Sequence, residues 1–326
     1  MDSILITGGA GFIGSHLTER LLADGKRVVV LDSFDPFYDP DMKRQNLLGV
    51  SGAAGFRLVE GDIRDGALLD ALFRSERFAA VIHLAARAGV RPSIEDPATY
   101  ADVNVTGTVR VLEACRTSGV RRFLFGSSSS VYGDNEEVPF AEDDPVDHPV
   151  SPYAATKRAG ELLSWNYHRL FGMEVACLRF FTVYGPRQRP EMAIRKFARL
   201  IAAGEEVEQY GDGSSARDYT YVSDIVEGVV RSLDRCRAFH IWNLGGSRTT
   251  TLLELVEKIA RGLGVRPTIR RLDAQPGDVE RTWADVRRAR ADLSWEPTVD
   301  LDRGLGLFLE WFRDQGTGRP LRRETT

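Results

Sequence analysis

The sequence predicts an α/β fold in which a doubly wound parallel sheet is followed by a smaller mixed α/β lobe. Three observations predict this fold. Short apolar runs alternate with helical patterns through the first half of the 326-residue chain. A turn with three glycines directly follows the first apolar run. After about residue 180 the alternation gives way to helices separated by prolines and glycines. Strand–helix alternation is typical of parallel sheets that helices cover on both faces.

The predicted strands are continuous apolar runs, which suit strands buried on both faces. The first two are ILIT and VVVLD, on either side of the first helical pattern. Four more follow at FRLVEGD (56–62), AAVIHLAA (79–86), RFLFGSSS (122–129) and VACLRFF (175–181). We expect HIWNLGG (240–246) to return to the same sheet.

Apolar residues at helical spacing predict the helices. Gly25 and Gly119 fall just past two helix ends, where a left-handed cap is favourable. Thr250 or Thr251 is a candidate N-cap for another helix. The predicted helices cover 14–25, 65–75, 105–119, 193–207, 223–235 and 250–264.

The change of rhythm also predicts how the chain divides. Its length suits one large α/β domain or two unequal ones. We place the boundary near residue 178, so that residues 1–178 form the first domain, with returning segments near 215–246. Residues 179–326 then form the second lobe.

The composition argues against several classes of protein. A net charge of −4 provides no basic field, so no nucleic-acid partner is expected. No stretch approaches the ~18 apolar residues that would span a membrane. Cys115, Cys177 and Cys236 show no metal-ligand spacing. They predict reduced thiols in a cytoplasmic protein without a metal site.

The stretch TGGAGFIGSH joins a glycine-rich turn to the start of a helix. Gly8, Gly11 and Gly14 stand three residues apart, with Phe12 and Ile13 between the last two. Glycine allows the tight turn, lets backbone N–H groups approach a pyrophosphate and permits close helix–sheet packing. The positive N-terminus of the helix favours the anion. The stretch therefore predicts a dinucleotide-binding site.

Two acids near strand ends would extend this site. Asp32 ends the second strand, where an acid hydrogen-bonds the adenosine ribose and repels a 2′-phosphate. It therefore favours NAD over NADP, although a solvated acid at a strand end is the alternative. Asp62 and Ile63, in GDIRD after the third strand, would lie at the adenine. A turn or cap role for Asp62 is the alternative.

The segment YAATK places Tyr153 and Lys157 one helical turn apart on the same face. A tyrosine acts as acid or base only if its pKa, ordinarily ~10, is lowered. A neighbouring ammonium and a nicotinamide cation would both favour the phenolate. Upstream, a strand ends in SSSSVYG, which offers hydroxyls at the top of the sheet. The order Ser, Tyr, Lys behind a glycine-rich turn predicts a catalytic set.

The chain resembles the extended short-chain dehydrogenase/reductase superfamily in its glycine spacing and its Tyr–Lys pair. The resemblance to nucleotide-sugar-modifying members covers nearly the full chain. It implies an internal reaction, in which bound NAD takes hydride from carbon 4 of the sugar and returns it to the other face. The motifs in order are TGGAGFIGSHL, HLAARAGVRPS, NVTGT, SSSSVYG, SPYAATK, RFFTVYGPRQRPEMA, RDYTYVSDI and QPGDVERTWAD.

The same resemblance implies the catalytic roles. Ser128 is the hydrogen-bonding hydroxyl, with Ser129 or Ser127 as the alternative. Tyr153 is the base and then the acid. Lys157 holds the nicotinamide ribose and lowers the tyrosine pKa.

Four further residues would line the cofactor in this resemblance. For Asn104, a role in bridging backbone segments is the alternative. The other three contribute their backbone and are Leu84, Ala85 and Ala86.

The residues before VYG discriminate between reactions. Related sugar 4,6-dehydratases carry an Asp-Glu pair there, and UDP-glucuronate decarboxylases carry Glu. This chain has Ser129 and Ser130, which cannot act as carboxyl acids. The serines argue against elimination and favour epimerisation.

The segment TVYGPRQRPEMA (182–193) resembles UDP-glucuronate 4-epimerases closely, as do DPFYDPDMKRQNL (35–47) and AGVRPS (88–93). A guanidinium matches a carboxylate bidentately, so we expect Arg189 to hold a 6-carboxylate, with Arg187 as the alternative. The substrate residues implied are Arg91, Ser129, Thr182, Arg189, Arg217 at the diphosphate and Asp278 near the uridine ribose.

The resemblance therefore implies NAD-dependent 4-epimerisation of UDP-glucuronate to UDP-galacturonate. The alternatives are a UDP-glucose/UDP-galactose 4-epimerase, a UDP-glucuronate decarboxylase and a non-catalytic NAD-binding regulator. Family members commonly pair through two helices each, which implies a homodimer. The helices of NVTGTVRVLEACR and SPYAATKRAGELLSWNYHRLF would form that interface.

Overall fold

The computed structural model describes residues 2–273 and 279–316, in which strands and helices alternate as predicted. The strands are β1 (Ser3–Thr7), β2 (Val28–Asp32), β3 (Phe56–Glu60), β4 (Phe78–His83), β5 (Arg122–Ser128), β6 (Glu174–Phe180), β7 (Thr182–Tyr184), β8 (Glu206–Tyr210), β9 (Ala216–Tyr221), β10 (Phe239–Leu244), β11 (Thr249–Thr251) and β12 (Thr268–Leu272). The helices are α1 (Phe12–Ala23), α2 (Pro40–Asn46), α3 (Gly66–Ser75), α4 (Val90–Glu95), α5 (Pro97–Ala101), α6 (Gly107–Ser118), α7 (Pro152–Phe171), α8 (Ala193–Ala202), α9 (Val222–Arg235), α10 (Leu252–Leu263), α11 (Arg287–Leu293) and α12 (Leu301–Gly316).

The main sheet has seven strands in the order β10-β6-β5-β4-β1-β2-β3, and each neighbouring pair is parallel. The predicted return of the 240–246 segment is confirmed, because β10 pairs with β6. The strand order reverses between β1 and β4, and ligands of doubly wound sheets bind at such a reversal. The predicted fold class is confirmed.

Both faces of this sheet are buried, which explains the continuous apolar runs. Ile4 and Ile6 of β1 belong to one core cluster, whereas Leu5 between them belongs to the other. Side chains of a strand alternate between its two faces. Each face of β1 therefore packs against its own layer of helices.

Two smaller sheets, β11-β9-β7 and β12-β8, belong to the second half of the chain. Thr251 caps α10, since its hydroxyl accepts the N–H of Glu254 and the Glu254 carboxylate accepts the N–H of Thr251. The helix predicted over 193–207 is too long, because the chain turns at Gly204 with a φ of +69° before β8 begins. Strand β6 runs across the proposed boundary at residue 178, and the division into domains stays a prediction.

Several helices were not predicted, including α2 and α12. A π-helical turn, Asp102–Thr106, leads into α6 and contains Asn104. Gly119 ends α6 with a φ of +76°, in the left-handed conformation predicted for it. Within residues 2–273 and 279–316, no helix is long and apolar enough to cross a membrane.

Candidate active site

A cavity of about 390 Å³ opens at the carboxyl ends of the main-sheet strands. Its size falls in the range of small-molecule and cofactor sites. Most of the residues predicted for cofactor and catalysis line it: Gly8, Gly11, Phe12, Ile13, Gly14, Asp32, Asp62, Ile63, Leu84, Ala85, Ala86, Ser128, Tyr153 and Lys157. Ser129, Thr182 and Arg189 of the predicted substrate set line the same cavity.

The glycine turn has no room for side chains. A Cβ on Gly8 would lie 2.7 Å from the backbone nitrogen of Ala85, and the φ of Gly8 is +72°. A Cβ on Gly14 would lie 2.3 Å from the Gly8 carbonyl oxygen. Helix α1 begins directly after Gly11, so its N-terminus lies at the cavity. This close approach fits a dinucleotide pyrophosphate laid against the backbone.

The Asp32 carboxylate is held at the end of β2 by backbone donors. One oxygen accepts the N–H of Ala10 at 3.0 Å and the other accepts the N–H of Phe34 at 2.9 Å. Burial raises the pKa of this carboxyl, and the two backbone donors oppose the rise. Each carboxylate oxygen keeps capacity for a further hydrogen bond, which a ribose hydroxyl can supply.

Asp62 lines the cavity but also has a partner of its own. Its two oxygens accept both the Nε–H and the Nη2–H of Arg64, at 3.0 and 2.6 Å. The backbone N–H of Arg64 adds a third bond at 2.8 Å. The turn role, given above as an alternative, is therefore present, and a contact with adenine stays a prediction.

Tyr153 and Lys157 lie together on the first turns of α7. The Lys157 ammonium lies 5.9 Å from the centre of the Tyr153 ring and donates to the Gly126 carbonyl at 2.7 Å. Burial and the charge of Arg189 lower the pKa of Lys157 to about 8, which Glu161 opposes. An ammonium poised near neutral pH suits a site that moves protons.

The Tyr153 hydroxyl lies in a desolvated environment. Burial raises its pKa, while a hydrogen bond with Ser128 and the charge of Arg189 act against the rise. The protein groups alone thus leave this pKa above its ordinary value, and the lowering expected from an ammonium together with a nicotinamide cation stays a prediction. The physical reason for the raised pKa is that Lys157 bonds to a carbonyl and the phenol is desolvated.

The serine run separates into two roles. The Ser128 hydroxyl donates to the Ser130 hydroxyl at 3.1 Å and accepts the Ser130 N–H at 3.2 Å. The Ser127 hydroxyl instead donates to the buried Glu161 at 2.7 Å. Ser127 is therefore engaged behind the site, and Ser128 is the serine that interacts with Tyr153.

Two arginines of the 182–193 segment lie in different places. Arg189 lines the cavity, pairs with Glu191 at 3.0 Å and is close enough to influence both Tyr153 and Lys157. Arg187 is not among the lining residues, and its guanidinium pairs with Glu19 of α1 at 2.6 Å. The cavity thus contains the arginine that was expected to meet a carboxylate.

Three predicted site residues, Asn104, Arg91 and Arg217, lie outside the cavity lining. Asn104 bridges backbone, accepting the N–H of Arg87 at 2.8 Å and donating to its carbonyl at 2.9 Å. The guanidinium of Arg91 lies 4.6 Å from the Tyr210 ring centre. Arg217 donates to backbone carbonyls, including that of Glu280 at 3.3 Å. Asp278 lies outside the described residues.

Residue-level reasoning missed a group of cavity residues from the 35–47 segment and the strand ends. Among the described residues, the Tyr38 hydroxyl and the Arg87 Nε are buried without a hydrogen-bond partner. Burial raises the pKa of Tyr38 to about 12, so it is a neutral donor. The 35–47 segment carries part of the resemblance, but the sequence predicts no site residue in it. The missed residues include Asp35, Phe37, Tyr38, Lys43, Arg87, Phe180 and Met192.

Comparison with known proteins gives consistent matches. Residues 4–245 match the NAD dependent epimerase/dehydratase family. A protein named UDP-glucuronate 4-epimerase from Thermodesulfobacterium geofontis is 40% identical over 96% of this chain and 97% of its own length. The UDP-glucuronic acid 4-epimerase from Bacillus cereus, solved with UDP-glucuronic acid and NAD, superposes with a TM-score of 0.90 at 34% identity, covering 96% of this chain and 99% of that chain. A UDP-glucose 4-epimerase with UDP-glucose from Thermotoga maritima has a TM-score of 0.88 at 34% identity, with the same coverage.

Proposed function

The chain belongs to the NAD dependent epimerase/dehydratase family, and from this premise we propose that it interconverts UDP-glucuronate and UDP-galacturonate at carbon 4. One observation carries the proposal: Arg189 lines the same cavity as Tyr153 and Lys157. A guanidinium binds a carboxylate bidentately, so it suits the 6-carboxylate of a uronic acid. The relatives from T. geofontis and B. cereus, which carry this activity in their names, support the proposal.

The residues of the cavity fit NAD. When bound, NAD supplies the group that accepts and returns hydride at carbon 4. Gly8, Gly11 and the start of α1 would hold its pyrophosphate, Asp32 its adenosine ribose and Lys157 its nicotinamide ribose. The other residues of this proposed cofactor site are Phe12, Ile13, Gly14, Asp62, Ile63, Leu84, Ala85 and Ala86.

Tyr153 would accept the proton of the sugar 4-hydroxyl and return it when the opposite epimer forms. Its buried phenol favours the neutral form, so positive charge is needed to stabilise the phenolate. Arg189 contributes such charge, and Ser128 contributes a hydroxyl that stabilises the same oxygen. The single hydroxyl hydrogen of Ser128 bonds to Ser130 in this structure. With a sugar bound, it would be donated either to the Tyr153 oxygen or to the sugar 4-oxygen, keeping the sugar within reach of the tyrosine.

Epimerisation of a uronic acid carries a hazard that the site has to control. The 4-keto intermediate is a β-keto acid. Such an acid loses CO2 readily when the bond between carbon 5 and the carboxylate stands perpendicular to the plane of the ketone. Arg189, with Thr182, would hold the carboxylate away from that geometry. Ser129 and Ser130 supply no carboxyl group for an elimination, which supports epimerisation over the decarboxylase alternative.

A neutral-sugar 4-epimerase is the second candidate. It is supported by the similarity to the T. maritima enzyme, which was solved with UDP-glucose. A neutral sugar has no carboxylate to neutralise the guanidinium of Arg189, which pairs with Glu191 in this structure. The two candidates therefore differ in the partner that Arg189 takes when a sugar is bound.

Product analysis of the purified protein tests the proposal. The protein is incubated with UDP-glucuronate and, separately, with UDP-glucose, without added NAD, and the nucleotide sugars are resolved. We expect conversion of UDP-glucuronate to UDP-galacturonate on cofactor retained from expression. Conversion of UDP-glucose alone would overturn the substrate assignment. No conversion, even with NAD added, would favour the non-catalytic regulator.

We also propose a homodimer. Leu162, Trp165, Leu170 and Phe171 of α7 are between 46 and 66% exposed, and exposed apolar groups of this extent mark interaction surfaces. Light scattering is expected to give twice the chain mass, and Leu162→Asp is expected to give the monomer. A monomeric parent protein would contradict this proposal.

The domain division and the location remain part of the same proposal. Residues 1–178, with returning segments near 215–246, would bind NAD, and residues 179–326 would bind the UDP-sugar. Arg91 and Arg217 would serve the UDP-sugar from outside the cavity lining, and Asp278 would serve it near the uridine ribose. All three cysteines are free and buried, which supports a cytoplasmic location.

A further inference from the structure

The chain just before Arg189 is fastened to the helix that begins at the cofactor end of the cavity. The Arg187 guanidinium pairs with Glu19 at 2.6 Å and donates to the Ser15 hydroxyl at 3.3 Å. One residue earlier, the Pro186 carbonyl lies 3.0 Å from Nε2 of His16. Burial lowers the pKa of His16, so its ring is neutral and Nε2 donates to this carbonyl. Ser15, His16 and Glu19 all lie on α1.

Arg187 adopts a backbone conformation that needs such support. Its φ is +65°, in the left-handed region that a residue with a Cβ rarely adopts. Such residues persist only where the surroundings hold them. The contacts to Glu19 and Ser15 meet this requirement, because both engage the side chain of the strained residue.

The other side of the segment is fixed by Gln188, whose side chain is buried. Its amide donates to the Val183 carbonyl at 3.1 Å and accepts the Arg195 N–H at 3.2 Å. With residues 186 and 187 held on α1 and residue 188 held in the second half of the chain, little freedom is left to the next residue. Arg189 then emerges into the cavity.

We propose that Glu19 and Arg187 act as a positioning pair, which places Arg189 relative to the cofactor end of the cavity. The inference rests on the proposed function, because Arg189 is taken there as the carboxylate-binding residue. The N-terminus of α1 faces the proposed pyrophosphate site, and the next turns of the same helix hold residues 185–192, which we call the substrate segment. Arg187 lies outside the cavity lining and is paired with Glu19, so in this proposal it does not touch the substrate. It sets the distance between Arg189 and the Tyr153–Lys157 pair.

The test compares variants of this pair with a matched ion pair on the same helix. Glu19→Gln removes the charge, Arg187→Ala removes the pair, and Arg187→Lys retains a cation. The control is Arg20→Ala, because Arg20 of α1 pairs with Glu227 of α9 at 2.6 Å and does not contact the substrate segment. Glu19 is partly exposed, so its variant is expected to fold even if Arg187→Ala does not.

Two readouts are measured on the intact protein with NAD bound. Calorimetry gives dissociation constants for UDP-glucuronate and UDP-glucose. Arg187→Ala is expected to weaken UDP-glucuronate binding about tenfold and UDP-glucose binding by less than about twofold. Glu19→Gln is expected to follow in the same direction with a smaller change, and Arg187→Lys to recover part of the loss. In Arg187→Ala and Glu19→Gln, hydrogen–deuterium exchange of residues 185–192 is expected to be faster than in the parent protein.

The control is expected to leave both readouts unchanged. Equal weakening of the two ligands, or effects of Arg20→Ala as large as those of Arg187→Ala, would show a structural role and overturn the positioning proposal. Unchanged binding in Glu19→Gln and Arg187→Ala would also overturn it. Failure of the parent protein to convert UDP-glucuronate would reject the proposed function instead, while exchange and binding would still decide the positioning role.

Discussion

The two ends of the cavity are built in different ways. The cofactor end consists of strand ends of one sheet and the helices that follow them directly. Gly8 and Gly14, for example, lie within one short stretch of sequence that joins β1 to the first turn of α1. The substrate end depends on the irregular 185–192 segment, which is held by contacts across long sequence distances, such as Arg187 with Glu19. Local patterns therefore describe the first end, whereas the second depends on packing between distant parts of the chain.

The two ends also differ in how their cations are held. Lys157 is 5% exposed, and its ammonium donates to a backbone carbonyl of the sheet. The Arg189 side chain is 20% exposed and pairs with a neighbour two residues away. A rigid, desolvated cation suits a constant partner such as a retained cofactor. A more accessible one suits a ligand that enters and leaves.

The largest effect is expected at the rigid end, from Tyr153→Phe. Loss of the acid–base hydroxyl is expected to lower turnover of UDP-glucuronate by about a thousandfold. NAD binding is expected to persist, because the ring remains. Steady-state rates and the NAD content of the purified protein measure both. Tyr167→Phe is the control, since this tyrosine of α7 bonds to Glu113 away from the cavity. Turnover within tenfold of the parent in Tyr153→Phe would exclude the role.

Gly14→Ala is expected to damage the cofactor end directly. The new methyl group would lie 2.3 Å from the Gly8 carbonyl oxygen and 2.7 Å from the Gly9 Cα, so the turn must move. We expect loss of bound NAD and about 3 kcal/mol of stability, measured by absorbance after release and by urea unfolding. Gly306→Ala in α12 is the control, because its methyl group would meet nothing within 4 Å. Retention of NAD in Gly14→Ala would contradict the pyrophosphate assignment.

At the substrate end, Arg189→Ala is expected to raise KM for UDP-glucuronate about thirtyfold, because a charge-assisted bond is lost. The freed carboxylate is expected to leave as CO2 from the 4-keto intermediate in part of the turnovers. Carbon 5 then takes up a proton, and release of the UDP-4-keto-pentose leaves the hydride from carbon 4 on the cofactor. Product chromatography detects it. Arg199→Ala, at an exposed position of α8 that pairs with Glu205, is the control. Unchanged turnover without a decarboxylated product would reject this role for Arg189.

The smallest expected effect is a pH dependence of stability from Lys157. Its folded pKa of about 8 lies below the ordinary 10.5, so between these values the unfolded state binds more protons. Stability therefore rises with pH across this window. In NAD-free protein, the unfolding free energy of the parent relative to Lys157→Met is expected to rise by on the order of 1 kcal/mol between about pH 8 and about pH 9. Urea unfolding at several pH values measures it, with Lys196→Met as the control. If the difference in unfolding free energy between the parent and Lys157→Met did not change with pH, the pKa of Lys157 would not be lowered in the folded protein.

The sequence predicted the sheet and most of the cofactor end because both follow from local rules. Strand alternation, the glycine turn and the Tyr–Lys spacing each lie within one strand–helix unit. It also selected Arg189. The sequence left Arg187 as the alternative to Arg189. For Asn104 it left open a place at the cofactor or a role in bridging backbone segments, and the side chain bonds to the Arg87 backbone. Side-chain partners so far apart in the chain leave no periodic signal.

By itself, the sequence determined the fold class, because short-range backbone geometry dictates glycine turns and helical spacing. It indicated the family through the resemblance of its motifs, and the residues proposed for hydride-transfer chemistry follow from that resemblance. Only the tertiary structure decided which arginine faces the cavity, which serine meets Tyr153 and which direction the tyrosine pKa takes. These depend on burial and on charges brought together by packing, such as Arg189 beside the Tyr153–Lys157 pair. Desolvation and Coulomb energy depend on distance in space, which the order of residues does not specify.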